Sequence, residues 1–248
     1  YAAVVPEDFL FLVKAHEACT LARYPDHPRY GAERGLANPL FLDPDYATQE
    51  VVGPYVEGLG AHGGALLFQF APQELGAPAR FAAELHRFLT ALPRGPLYAV
   101  EVRNRELLGP DYAAALAAAG ACPCLNVHPR MPDLRRQARA TGALRAPAVV
   151  VRWLVAQGMS YEVAGRTFAP FNRLAAPDPA LRHTLAALAH AALRAGRPFL
   201  ATVNNNAEGS APLSIALLAR AIAEREGEPG GASSAPGTPA PGAPDPAA

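Results

Sequence analysis

The chain has 248 residues, half of them apolar, and its 22 Lys and Arg balance 22 Asp and Glu. That length suits one large α/β domain with a sizeable core. Zero net charge argues against a protein that coats nucleic acid or a membrane surface, and no stretch approaches the roughly 20 uninterrupted apolar residues of a membrane span.

The first apolar run, residues 9–16 (FLFLVKAH), alternates toward Lys14 and His16 and predicts a strand. A long connection, 16–43, follows. A weak helical pattern covers 45–62, where Gly53-Pro54 is expected to kink or split it. Residues 66–70 (LLFQF) predict the next strand. Phe81, Leu85, Phe88, Leu89 and Leu92 then lie on one helical stripe. Strand 98–103 (YAVEVR), helix 113–119 and strands 123–128 (PCLNVH) and 148–154 (AVVVRWL) come next. A second long connection, 155–178, precedes a helix marked by Leu181, Leu185, Leu188 and Ala192, which Gly196 is expected to end. Strand 199–205 (FLATVNN) and helix 213–222 complete the pattern. From residue 227 the chain is rich in Pro, Gly, Ala and Ser without apolar periodicity, so 1–226 is read as the domain and 227–248 as a disordered tail.

Strands alternating with helices imply a parallel sheet with right-handed crossovers. Because successive strand residues face opposite ways, Phe11, Val13, Leu66, Phe68, Val100, Val102, Leu125, Val127, Val149, Val151, Ala201 and Val203 share one apolar face. The other face carries Lys14, His16, Gln69, Glu101, Arg103, Asn126, His128, Arg152 and Asn204. A ring of polar strand ends is what a βα barrel needs around an active site. The fold class read from this pattern is a TIM-type (βα)8 barrel. Six strands leave it about two short, and the missing strands are expected to lie before Tyr1. Trp153 points outward, toward the core; Tyr161, Phe168 and Phe171 either form a lid over the site or anchor the second long connection.

Cys19, Cys122 and Cys124 are too few and too irregular for a disulfide framework, and Cys122-Pro-Cys124 lacks the two-residue spacer of common zinc sites. A reducing, cytoplasmic setting is expected.

The segment NNNAEGSAP, residues 204–212, follows a strand and opens a helix. Ser210 suits the N-cap, Pro212 the first turn, and Gly209 lets the backbone approach a neighbour closely. Free amides at such a helix start attract anions. Glu208 opposes an anion unless it points away. An ordinary capped loop explains the same residues equally well.

This segment, continued as NNNAEGSAPLSIALLARAI, resembles the domain-of-unknown-function 72 family, a set of uncharacterised TIM-barrel proteins. PEDFLFLVKAHE, LLFQFAPQ, YAVEVRN and VVVRWLVAQGMSYEVAGRTFAPFNRL share the resemblance in order, from about Pro6 to about Glu224. The resemblance implies two strands upstream of PEDF, a glycine-rich one and a polar, aromatic one. It also implies Lys in the third position of NNxAEG, where this chain has Asn206. No reaction, cofactor or metal follows from it.

The chemistry is therefore read from the residues. Arg103, Arg152 and Lys14 against Glu101 suit a small anionic ligand, since arginine pairs bidentately with carboxylate and phosphate. An internal salt bridge between Glu101 and Arg103 or Lys14 is the structural alternative. Glu101, the one acid of the ring, is the candidate base, with Lys14 or His16 as its acid partner or Lys14 as an amine nucleophile. Gln69, Asn126, His128, Asn204, Asn205, Gly209 and Ser210 are candidate ligand-binding residues. A metal on His16, Glu101 and His128 is conceivable, although no HxxxH or DxD spacing supports it. The function expected is an enzyme acting on a small phosphorylated or carbohydrate-like metabolite. The alternatives are a nucleic-acid-processing barrel and a binding protein without catalysis.

Overall fold

Six parallel strands form one sheet in sequential order in the computed structural model, which describes residues 2–226. The expected tail at 227–248 lies outside the described residues. The elements are β1 (Phe11–Lys14), α1 (Pro44–Ala47), α2 (Gly53–Leu59), β2 (Gly63–Phe70), α3 (Pro78–Ala91), β3 (Tyr98–Val102), α4 (Pro110–Ala119), β4 (Cys122–Val127), α5 (Leu134–Thr141), β5 (Val149–Trp153), α6 (Tyr161–Phe168), α7 (Pro179–Arg194), β6 (Phe199–Val203), α8 (Asn205–Glu208) and α9 (Ala211–Glu226). All six strand expectations hold. Proline in the first turn starts α1, α3, α4 and α7, where its missing N–H costs nothing.

The sheet is an incomplete (βα)8 barrel. Its outer face packs Leu66, Phe68, Phe70, Val100 and Val102 against Phe81, Leu85 and Phe88 of α3. Farther round, Leu125, Val149, Val151 and Trp153 meet Leu185 and Leu188 of α7. The concave side has less room and takes smaller groups: Ala65, Leu67, Ala99, Cys122, Cys124, Ala148 and Val150, with Leu12 and Leu200 against them. Above this apolar floor, toward the carboxyl ends, the inner positions turn polar. Among the described residues, β1 pairs only with β2 and β6 only with β5. Leu12 and Lys14 of β1 face Thr202 of β6, and Asn204 just past it, across a cavity of about 220 Å³.

One seam is thin. β3 and β4 share only the pairs Ala99↔Cys122 and Val100↔Pro123, and Pro123 has no amide to donate. Side chains close the rest. Asn126 Nδ2 donates to the Val102 carbonyl at 3.2 Å. Gln137, buried, accepts from the Asn126 amide and donates to its carbonyl.

One stretch splits as expected at Gly53-Pro54, and two depart from expectation. The helix at 45–62 splits into α1, a π-turn over Thr48–Val52 and α2. Pro54 cannot donate, and the Gly53 amide reaches back to the Thr48 carbonyl, closing the wider turn. Helix α5 carries too few apolar residues to show as a stripe. Helix α6 lies inside the second long connection, with a small core of its own where Val155, Ala156, Ala164 and Phe168 are buried against Met159, Tyr161 and Phe171. Among the described residues, no helix is long and apolar enough to cross a membrane.

Candidate functional site

Period-two geometry sends Glu101 inward from β3, and Arg103, just past the strand end, follows it. Arg152 comes inward from β5. They meet. Arg103 Nε donates to Glu101 Oε1 at 2.7 Å, and Arg152 Nη1 donates to Glu101 Oε2 at 2.6 Å. The Glu101 side chain is 0% exposed, Arg103 13% and Arg152 20%. Both carboxylate oxygens are thus engaged, while each guanidinium keeps N–H groups and an outward edge. Gln69, beside Glu101 in register, accepts from Arg103 at 3.4 Å. Burial opposes the Arg152 charge, but Glu101 outweighs it and holds the Arg152 pKa above the ordinary arginine value.

Two groups border this triad. Tyr161 opens α6 behind the Ser160 N-cap, so the second long connection delivers its ring to the site. Burial raises the phenol pKa, with Arg103, Glu101 and Arg152 all acting on it, and the hydroxyl remains a donor at neutral pH. The His128 ring lies 6.2 Å from that of Tyr161, centroid to centroid. Burial, then the charge of Arg103, lowers the His128 pKa below its ordinary value. Its Nδ1 accepts from the Arg130 amide at 3.2 Å, so a neutral ring carries its proton on Nε2.

The other expected residues are distributed differently. Lys14 lines the 220 Å³ cavity with Arg152, Thr202 and Asn204. His16 is exposed and hydrogen-bonds through Nδ1 to the Tyr46 hydroxyl at 2.8 Å. Asn126 closes the β3–β4 seam. His16, Glu101 and His128 do not assemble a metal site, and no group of three or more His, Cys, Asp or Glu side chains that could hold an ion occurs among the described residues.

The NNNAEG segment turns inward on the protein itself. Asn204 caps α8 by accepting from the Asn206 amide, and Asn205 Oδ1 accepts from the Ala211 amide, at 2.9 and 2.8 Å. The Gly209 amide donates to the Asn205 carbonyl, and both Gly209 and Ser210 are buried. Gly209 has φ +111°, and a Cβ there would sit 2.6 Å from the Arg173 carbonyl oxygen. The close approach foreseen for Gly209 is made, but to the chain's own loop. Glu208 points away from the arginine pair. Its Oε1 accepts from the Asp178 amide at 2.6 Å and from the Arg182 guanidinium. Its carbonyl accepts from the Ala175 and Ala176 amides, and the Asn206 carbonyl accepts from Ala156. Both ends of the second long connection are therefore fastened to α8. The Glu208–Arg182 pairing and the role of Gln137 went unrecognised in the sequence, because each depends on contacts distant along the chain, whereas Tyr161 beside the triad is one of the two places read for it.

The family model described as "Protein of unknown function DUF72" matches residues 1–240. The chain belongs to this family. Two solved DUF72 structures have the same fold. One, from Thermotoga maritima MSB8, has a TM-score of 0.57 at 16% identity over 88% of this chain and 75% of that one. The other, from Enterococcus faecalis V583, has a TM-score of 0.55 at 16% identity over 88% and 76%. No curated protein matches the chain significantly. At such identity the DUF72 structures speak to fold alone.

Proposed function

We propose that the carboxyl-end face binds a small anionic metabolite, phosphorylated or carbohydrate-like, and that the protein is an enzyme acting on it. The observation that carries this is Glu101 holding Arg103 and Arg152 together at 2.7 and 2.6 Å. One carboxylate aims two guanidiniums and neutralises only one of them. The surplus positive charge, on two guanidiniums only 13% and 20% exposed, is what a phosphate or carboxylate would neutralise. Gln69 and the Tyr161 hydroxyl add neutral polar groups at the edge.

Within this proposal Glu101 acts as a positioning residue, since both oxygens already accept charge-assisted hydrogen bonds. The Lys14 ammonium makes no hydrogen bond or ion pair among the described residues and shares a cavity with Arg152. It is the group free to move a proton or attack a carbonyl. His16 stands two residues on and can serve as its acid–base partner.

Thermal stability measured during titration with inorganic phosphate, sugar phosphates and small carboxylates tests the anion site. Arg152→Ala should weaken binding by about 1.5–3 kcal/mol, the worth of a charge-assisted hydrogen bond. Equal stabilisation of the Arg152→Ala and unmodified chains, or none in either, removes the anion site. Loss of turnover but not of binding in Lys14→Ala would support the catalytic role.

A further inference from the structure

A second basic cleft opens beside the arginine pair, along the other side of Arg103. It encloses about 300 Å³ and is lined by Arg103, Asn104, Arg105, Glu106, Pro129 and Arg130. Arg105 begins a short 3-10 turn, Arg105–Leu107, beyond β3. Arg130 sits in the turn beyond β4, where its amide donates to His128 Nδ1 and the Met131 amide to the His128 carbonyl at 2.9 Å. Both arginines thus rise from backbone that local hydrogen bonds hold in place.

Neither Arg105 nor Arg130 forms an ion pair among the described residues. The one acid of the cleft is already engaged: Asn104 Nδ2 donates to Glu106 Oε1 at 2.6 Å, and that bond is the main cause of the lowered Glu106 pKa. Arg103 is already paired with Glu101, so the cleft sets Arg105 and Arg130, with the outer edge of Arg103, against the single charge of Glu106. A recess with such an imbalance concentrates anions. Arg103 belongs to both places, since it holds Glu101 on one side and lines this cleft on the other. His128 is exposed to the charges of both Arg103 and Arg130.

We propose that this cleft is a second anion subsite, contiguous with the first through Arg103, and that the ligand is a small molecule carrying two anionic groups on a short spacer. A bisphosphate or a phosphorylated carboxylic acid has this chemistry. The spacer is short because one side chain borders both subsites. This second subsite presupposes the first, proposed above, and adds the second charge of the same ligand.

The test compares inorganic phosphate with propane-1,3-diyl bisphosphate by calorimetric titration of the whole chain. The two-headed probe should bind at least about tenfold more tightly, because its second anion binds intramolecularly. In an Arg105→Ala/Arg130→Ala variant that advantage should vanish, while phosphate binding lost on Arg152→Ala should persist. Both arginines are exposed, and a urea melt confirms that the variant folds. Equal affinity of the two probes, or an advantage that survives the double substitution, overturns the second subsite and leaves the first standing. Phosphate binding indifferent to Arg152→Ala removes the first subsite and the second with it. A short single-stranded oligonucleotide that binds more tightly than the bisphosphate and loses this in the double variant would assign the cleft to a polymer instead, against the proposal.

Discussion

Glu101 and Glu208 are both 0% exposed, both lie on the carboxyl-end side of the barrel, and both meet arginine. Glu101 divides its oxygens between two guanidiniums, each bordering an open volume: Arg152 the cavity of about 220 Å³ and Arg103 the cleft of about 300 Å³. Glu208 concentrates on Oε1 one guanidinium and one backbone amide, from Arg182 and Asp178, where Arg182 is 12% exposed. The first arrangement leaves positive charge over. The second balances it and fastens a loop. A buried acid–base pair is thus no sign of a site by itself; what distinguishes the two is charge left unneutralised beside an open volume.

The largest effect is expected at the balanced pair. Glu208→Ala leaves the Arg182 charge and the Asp178 amide without their acceptor and should cost about 3–5 kcal/mol in a urea melt. A loss below about 1 kcal/mol would mean that the loop is held by other contacts. Gly209→Ala comes next, at about 1–3 kcal/mol or more, since a Cβ must fit at φ +111° against the Arg173 carbonyl. Glu101→Ala should cost less, about 1.5 kcal/mol, the low end for a charge-assisted hydrogen bond, because both arginines can still reach water. Its signature is rescue: millimolar formate or acetate should restore stability to Glu101→Ala but not to Glu208→Ala. Rescue of both, or of neither, would erase the distinction between them.

The smallest effect is a pH dependence. His128 titrates below its ordinary 6.5 in the folded chain. As pH falls through 6.5 the unfolded chain takes up the proton first, so the His128 contribution to stability declines there and levels off once the folded ring is protonated. An anion held between Arg103 and Arg152 should raise the His128 pKa, so binding tightens as pH falls across that window. An NMR titration of the imidazole with and without phosphate checks both signs. An unchanged pKa on saturation would place the anion elsewhere.

Much of this molecule was legible in its sequence because two short-range rules govern it. Alternation of period two announced every strand and separated Glu101, Arg103 and Arg152 from Val100, Val102 and Val151 before any coordinates. The stripe from Phe81 to Leu92 announced α3. What stayed hidden depends on partners remote in sequence. Helix α5 reads as polar because Gln137 serves the β3–β4 seam through its amide, not through apolar burial. The NNNAEG amides looked free for an anion, but Asn204 and Asn205 themselves accept from the Asn206, Gly209 and Ala211 amides, and what no local pattern shows is that Ala175 and Ala176 return to the Glu208 carbonyl. Likewise Glu101 was one carboxylate among several cations until the fold chose two arginines and left Lys14 apart.

The fastening of the second long connection has a consequence for how this face can diverge. Its tie at Ala156 is to the Asn206 carbonyl, and its ties at Ala175 and Ala176 are to the Glu208 carbonyl. Main-chain oxygen is supplied by any residue, so the mechanical job at position 206 is indifferent to the side chain there. Asn or Lys can occupy it with the loop equally secured. Position 206 is therefore a place where the side chain can change while the loop stays fastened.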